Sequence, residues 1–139
     1  MRAGVHIGRV VGVSGRLFIA EHRVEGHTRP GQPGVGIYKF SQTGDLMKNW
    51  GKPDNVNGRL DDGEFAGGTS SIACDKQDRV FVPDEAGGRV QVFDSQGKFL
   101  FSFTGPDGAK PTGPLAVKDD EVIATDGGAR SVFKFRLNS

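Results

Sequence analysis

Residues 80–105 read VFVPDEAGGRVQVFDSQGKFLFSFTG, and this stretch decides the fold class. It holds three short runs of β-branched and aromatic residues, at 80–82, 90–93 and 99–103, and these residue types are enriched in strands. Asp, Gly and Ser, which favour turns, fill the two links between the runs. The stretch therefore predicts a three-stranded antiparallel meander. The run SIACD at 71–75 adds a fourth strand through a polar turn at 76–79.

The same pattern recurs on both sides of this stretch. Downstream, Val122 follows Val80 by 42 residues, and Phe135 follows Phe93 by the same 42. Upstream, the pattern returns at 17–20, 37–40 and 46–51 with offsets of 63 (80 − 17) and 53 (93 − 40), so the first copy carries insertions. A period near 42 with four short strands per copy is typical of β-propellers. We therefore predict an all-β chain forming a partial β-propeller of about three four-stranded antiparallel blades, the last of them incomplete.

The second copy also resembles a known repeat. An apolar strand ending in Asp75, then VFVPD, RVQVFD and GKFLFSFTG, is similar to the NHL repeat, the unit of NHL-type six-bladed β-propellers. Pro83 stands where the family has a small residue, and Gly87–Gly88 replaces an Asn pair. The third copy keeps Asp126 with its two following glycines, whereas the first copy has Glu21 in place of Asp. The resemblance implies a rigid scaffold whose loop face and central channel carry the ligand site.

Composition limits the function classes. The chain of 139 residues suits one domain, and its 18 basic and 17 acidic residues give a net charge of +1. That balance provides no overall field for nucleic acid or an anionic membrane. Cys74 is the only cysteine, so no intramolecular disulfide forms, and we expect it to be a buried, inert thiol. No transmembrane run or signal peptide is visible, which favours the cytoplasm while leaving the compartment unknown.

The repeats divide the chain into one propeller segment, 1–139, with blades at about 9–51, 70–105 and 114–137. Two loop insertions, 22–34 and 52–68, interrupt the pattern, and both are rich in turn residues. The first links strands two and three of a blade, and the second links strand four to the next blade. Because strands in a blade alternate in direction, both links emerge at the same end. Repeat proteins often bind partners on the face that carries their insertions.

Candidate binding residues therefore come from these insertions. Basic side chains cluster in the first one, and the second adds an arginine beside several acids; the candidates are His22, Arg23, His27, Arg29 and Arg59. They could contact an anionic or polar partner, and the alternative is a solvated loop with scattered charges, which is the more common meaning of such patterns.

The sequence motifs give weaker support to a catalytic function than to binding. His6, His22 and His27 could supply metal ligands, but their spacing fixes no zinc geometry, so no metal ligand or catalytic residue is assigned. The strand-end acids are expected to bond turn backbone rather than form a carboxylate cluster; they are Asp75, Asp84, Asp94 and Asp126. The paired glycines lack the Lys-Ser/Thr ending of a phosphate loop, and no cofactor is predicted.

These observations favour a binding module for a protein or peptide over an enzyme. The alternatives are a metal-dependent propeller lyase or lactonase and an RNA-binding NHL domain, although acids in 52–68 disfavour RNA. Three blades cannot close a ring, so either the chain is a fragment of a larger propeller or two chains pair into a homodimeric six-bladed ring. In both cases we expect apolar outer faces on the end blades and an open strand edge near Val132 and Phe133 that invites association.

Overall fold

The computed structural model describes residues 5–13, 16–23, 37–51, 62–63, 71–84, 87–111, 113–126 and 130–137, with the first two ranges described for their backbone only. Eleven strands lie in these ranges, and they contain a single 3₁₀ turn at Pro106–Gly108 but no α-helix. The strands are β1 Val5–Val13, β2 Arg16–Arg23, β3 Ile37–Phe40, β4 Leu46–Trp50, β5 Ala73–Cys74, β6 Val80–Asp84, β7 Arg89–Phe93, β8 Phe99–Phe103, β9 Leu115–Lys118, β10 Glu121–Asp126 and β11 Ser131–Arg136. The predicted all-β class is confirmed.

The strands form three antiparallel sheets in chain order. The first sheet is β1-β2-β3-β4, the second is β5-β6-β7-β8, and the third is β9-β10-β11, with β10 in the middle. None of these sheets closes on itself within the described ranges. Strands β3 and β8 have the predicted bounds, and β4 ends one residue before the end of the predicted 46–51. Strand β2 runs from Arg16 to Arg23, beyond the predicted 17–20, and β1 begins at Val5, before the first blade was expected to start at about residue 9.

The first and second sheets share one turn and one bulge. In the second sheet, Asp94 accepts from Gly97 and donates to Lys98 through the backbone, and in the first sheet Ser41 makes the same bonds with Gly44 and Asp45. Both glycines have φ of +86°, a conformation that favours glycine. The pairing then shifts by one residue, at Lys39/Phe40 in one sheet and at Val92/Phe93 in the other. Equivalent positions therefore adopt equivalent backbone geometry, which is independent support for the internal repeat.

The three sheets stack face to face, with the second between the other two. One apolar cluster joins Ile37 of the first sheet to the buried Val80, Val82 and Phe93 of the second. The other cluster joins the second sheet to the third, and its buried members are Ala73, Phe81, Val90, Val92, Leu115, Val122 and Ala124. Strand β6 contributes to both clusters because successive side chains of a strand point to opposite faces.

An aromatic contact recurs between successive sheets. Trp50 at the end of β4 lies 5.9 Å from Phe93, and Phe103 at the end of β8 lies 4.8 Å from Phe135, centroid to centroid. Phe103 is the counterpart of Trp50, and Phe135 is the counterpart of Phe93. The two interfaces are thus built in the same way. Phe93 and Phe99 pack in the cluster between the first two sheets, Phe101, Phe103 and Phe135 pack in the cluster between the second and third, and the half-buried Phe133 contacts Phe135.

The backbone also approaches closely between the first two sheets. A Cβ at Gly97 would lie 2.7 Å from Trp50 Cδ2, so only glycine allows the indole to pack over this turn. Lys39 is buried, and its Nζ donates to the carbonyl of Ser95 in the same turn at 2.7 Å. The hydrogen bond satisfies a polar group that would otherwise be costly to bury.

The outer face of the third sheet differs from expectation. We expected an apolar face, but beside the exposed Ile123 and Val132 it carries charged residues, namely Lys118, Glu121, Lys134 and Arg136. Glu121 Oε1 lies 3.0 Å from Lys134 Nζ and 3.3 Å from Arg136, and the hydrogen bond from Lys134 is the main cause that lowers the pKa of Glu121. The prediction of an apolar outer face is therefore wrong for this sheet, since two of the three outward positions of β11, Lys134 and Arg136, are basic.

Within the described ranges, no helix has the length and apolar character needed to span a bilayer.

Replacing Phe93 by alanine should lower the free energy of unfolding by about 3–5 kcal/mol, because the ring is fully buried between two sheets. Chemical denaturation measures this change. The matched control is Leu46→Ala, whose side chain is exposed, and it should change stability by less than about 0.5 kcal/mol. Equal midpoints for the two variants would contradict the stacking described above.

Candidate functional site

The candidate site lies at the end of the sheets where the β6–β7 and β10–β11 links emerge, and we call this end the insertion face. Its described residues come from three links and one insertion. They are Asp62–Gly63, Asp84, Gly87–Arg89, the link at 105–111, Asp126 and Arg130. The insertion 52–68 is represented by Asp62 and Gly63, and these do lie beside the β6–β7 link, as the alternation of strand direction predicts.

A buried carboxylate organises this face. Asp84 ends β6 with only 1% of its surface exposed. Its Oδ1 accepts from the Gly87 backbone N–H at 3.0 Å, while Oδ2 accepts from Arg89 Nε at 3.2 Å and from Gln91 Nε2 at 3.1 Å. A buried charge is tolerated only when it is paired and hydrogen-bonded, and all three donors meet that need.

The close packing around the Asp84 carboxylate explains why one residue of the β6–β7 link, Gly87, is glycine. A Cβ at Gly87 would clash with the Asp84 carboxylate and lie 3.3 Å from Arg89 Nε. Glycine at this position therefore lets the backbone come close enough to donate to the carboxylate. The sequence VPD-x-x-GGR-x-Q forms this arrangement as one local unit, because strand β7 carries Arg89 and Gln91 on the side that faces Asp84.

The same network holds the second insertion in place. Gln91 Oε1 accepts from the Gly63 backbone N–H at 2.7 Å, and an Arg89 terminal nitrogen lies 2.6 Å from Asp62 Oδ1. Gln91 is fully buried, whereas Asp62 keeps 60% of its side chain exposed. The insertion is therefore anchored to the central sheet through a neutral and an ionic contact, and Asp62 still presents charge to solvent.

The link between the second and third sheets completes the face. The Lys110 backbone N–H donates to Asp126 Oδ2 at 3.0 Å, and the Lys110 side chain covers Gly88, where a Cβ would lie 3.0 Å from its Cδ. Gly88 has φ of +68°, in the left-handed region. The exposed Lys110 thus lies beside the β6–β7 link, and the exposed Arg130 belongs to the β10–β11 link, directly before β11.

The predicted binding residues fall only partly within the described structure. His22 and Arg23 lie on β2, not in a loop, where the backbone register pairs His22 with His6 and Arg23 with Val5. The strand therefore brings two of the three histidines opposite each other. His27, Arg29 and Arg59 lie outside the described residues, so their candidacy stays a prediction.

The strand-end acids serve the turns, as predicted. Asp75 Oδ1 accepts from the backbone N–H of Gln77 and Arg79, and Asp94 Oδ1 accepts from those of Gln96 and Lys98. Asp126 differs because its backbone partner, Lys110, belongs to another link. Among the described residues, no group of His, Cys, Asp or Glu is arranged to hold a metal ion.

The opposite end of the sheets carries a small cavity of about 240 Å³, lined by the β5–β6 and β9–β10 turns and by Leu137. Lys76 Nζ lies 2.5 Å from Asp119 Oδ1 across it. Their hydrogen bond lowers the pKa of Asp119 and raises that of Lys76. Both side chains are exposed, so this is a surface ion pair of small energetic weight.

Two features of the site escaped the sequence analysis. Gln91 is a polar residue between valines in a strand, and that position was the available signal for a buried hydrogen-bonding side chain. An arginine near the start of a strand can brace the adjacent turn or blade, and Arg89 braces its turn through Asp84. Its contact with Asp62 of the second insertion joins residues 27 positions apart and has no local signature.

Cys74 packs against the cluster of Ile72 and Val80, and burial with the nearby Asp75 and Asp78 raises its pKa to about 12. A thiol with so high a pKa is protonated at neutral pH and is a poor nucleophile. Cys74 is therefore partly buried rather than fully buried, and its raised pKa supports the prediction of an inert structural thiol.

A scan against protein-family models gives no match to this chain, and a search of curated protein sequences gives none either.

Substituting Asp84 by alanine should lower the free energy of unfolding by about 3 kcal/mol, because it leaves Arg89 and Gln91 without their buried acceptor. Asp94→Ala is the control, since that carboxylate caps an exposed turn through backbone bonds alone, and it should cost about 1 kcal/mol. Urea denaturation compares the two. A smaller loss for Asp84→Ala than for Asp94→Ala would contradict the central role of this network.

Alkylation of Cys74 by iodoacetamide at pH 8 should be about a thousandfold slower in the folded protein than in urea. The folded pKa of about 12 against an ordinary 9.0 reduces the thiolate by three orders of magnitude. The same shift predicts that stability falls as the pH rises above 9, because only the unfolded chain then loses the thiol proton. Equal rates in the two states would show that the thiol is accessible and not inert.

Proposed function

We propose that this chain is an NHL-like β-propeller binding module that recognises a protein or peptide through its insertion face. Support for the blade arrangement comes from the repeated turn, the repeated bulge and the recurring aromatic contact between successive sheets. Each feature recurs at positions that the 42- and 53-residue offsets relate. Such repetition is expected of blades built from one ancestral unit and stacked around an axis.

The observation that carries the binding role is the anchoring of the second insertion. Asp62 and Gly63 are fixed to the central sheet through Arg89 and Gln91, so part of this long loop is held in one geometry. A loop that is already ordered loses less conformational entropy when it binds a partner. Long loops held on a rigid scaffold are common sites of recognition.

The charge pattern favours a polypeptide over a polyphosphate. Arg89, Lys110 and Arg130 on the insertion face are interspersed with acidic residues, namely Asp62, Asp84, Asp107 and Asp126. Nucleic acid binding gains most of its affinity from concentrated positive charge. A mixed face suits the alternating donors, acceptors and charges of a folded protein or peptide.

The test is selection of a phage-displayed peptide library on the purified protein, with affinities of the enriched peptides measured by fluorescence anisotropy. A double variant, Lys110→Glu with Arg130→Glu, should weaken these peptides by about tenfold or more, because it reverses two exposed charges on the face. The matched control is Lys76→Glu with Lys118→Glu, which makes the same change elsewhere and should leave affinity unchanged.

Two results would contradict the proposal. Peptides that bind the face variant and the control variant equally would place recognition elsewhere. Stoichiometric zinc or calcium in metal analysis of the purified protein would favour the metal-dependent enzyme instead.

A further inference from the structure

A second surface, distinct from the insertion face, lies along β11. Within the described part of the chain β11 pairs only with β10, so its other side is a strand edge. The ladder shows which groups face that edge. The Leu137 N–H donates to the Asp120 carbonyl, and hydrogen-bonded pairs alternate along an antiparallel ladder. The N–H and C=O groups of Val132, Lys134 and Arg136 therefore point away from β10.

An apolar groove runs beside this edge. It has a volume of about 310 Å³ and is lined by Phe101, Phe103, Phe135, Arg136 and Leu137. In the second sheet, β7 occupies the position that β11 has in the third sheet, and β8 is the next strand outward. The rings of Phe101 and Phe103 lie on β8. They therefore face the position that a strand added beside β11 would occupy, and they remain partly exposed there. The volume is at the lower end of the range for binding pockets, about 300–1,000 Å³.

The two faces of a strand added beside β11 would need different side chains. Side chains of an added strand directly opposite Phe133 and Phe135 would enter the groove, so they should be apolar. Those opposite Lys134 and Arg136 would lie on the outer face, where these cations are 61% and 72% exposed. The acids that contact these cations, Glu121 and Asp120, lie on β10 and its turn, so the edge side remains open to further negative charge.

We propose that β11 binds an extended peptide segment of a partner protein, in which apolar and acidic residues alternate, as an added fourth strand of the third sheet. Main-chain hydrogen bonds would supply affinity, and the groove and the two cations would supply selectivity, as in other cases of strand addition. This inference does not rest on the proposed role of the insertion face.

A second copy of the chain fits the same edge poorly. Antiparallel pairing of two β11 strands would bring Lys134 and Arg136 of one copy against the same cations of the other, and like charges on opposed strands are destabilising. Exposed lysine on an edge strand is also a known protection against self-pairing. An acidic partner turns the same charges into attractive contacts.

The probe is a fluorescent peptide of about eight residues with alternating valine and glutamate, long enough for one strand. Anisotropy should show binding to the wild-type chain at least about tenfold tighter than that of a valine–lysine peptide, and the binding should weaken with added salt. A peptide of the same composition with its valines contiguous should also bind worse, because it cannot place apolar groups on one face only.

The decisive variant is Lys134→Pro, which removes an outward N–H and a charge without breaking the β10 ladder. It should reduce affinity by about tenfold with an unchanged circular dichroism spectrum and melting curve. If the proline variant unfolds, Lys134→Glu takes its place and should make the chain prefer the valine–lysine peptide. The control, Lys118→Glu, repeats the charge change on the same face of β9 and should leave binding unchanged.

Several outcomes would overturn the proposal. One is equal affinity for the acidic and basic peptides, and another is no measurable binding of the acidic peptide. A third is an equal loss of affinity for the acidic peptide in the Lys118 and Lys134 variants. Self-association of the chain that depends on β11, seen by light scattering without peptide binding, would overturn it in favour of a second copy. The Lys110→Glu, Arg130→Glu variant should bind the strand peptide normally, which separates this site from the insertion face.

Discussion

Covering the second sheet on both faces is the constraint on which the rest of the structure depends. Its middle strands must supply apolar side chains in both directions, and Val80, Phe81 and Val82 on β6 and Val90 and Val92 on β7 do so without exposed surface. A sheet buried on two sides needs neighbours on two sides. The first and third sheets meet that need, and their outward residues are free to be polar or charged.

This constraint explains how far the sequence could be interpreted. The central copy has long apolar runs and turn signals in register, so its strands could be located to within a residue or two. The same holds for β3 and β4. Prediction was poorer for β1, which begins before Gly8, and for β2, which extends into the first residues of the insertion 22–34. Local turn chemistry sets such limits in a sequence, whereas pairing with a neighbouring strand sets them in the fold.

The same distinction between local and long-range contacts decides which parts of the candidate site could be predicted. The turn roles of Asp75 and Asp94 follow from local chemistry and were predictable. The Asp84 network was only half predictable, because Gly87 and Arg89 are near Asp84 in sequence, whereas Gly63 lies 28 residues before the Gln91 that it contacts. The charged outer face of the third sheet was missed because the outer faces of the end blades were expected to be apolar packing faces. Lys134 and Arg136 alternate with the phenylalanines, and such alternation equally marks a strand with one solvated face.

The bulge in β8 has a consequence for how sheets of this kind can change. Phe99 packs with the first-sheet cluster, whereas Phe101 and Phe103 pack with the third, although a regular strand would place all three on one side. The extra residue, Leu100, reverses the direction of the side chains midway. Strand β8 therefore contributes to the interface with the first sheet and to the interface with the third. Replacing only the inner strands of the second sheet by those of another repeat would leave β8 mismatched at both interfaces. The smallest interchangeable unit includes the outer strand and its bulge, and a deletion of one residue there would alter the packing of all three sheets at once.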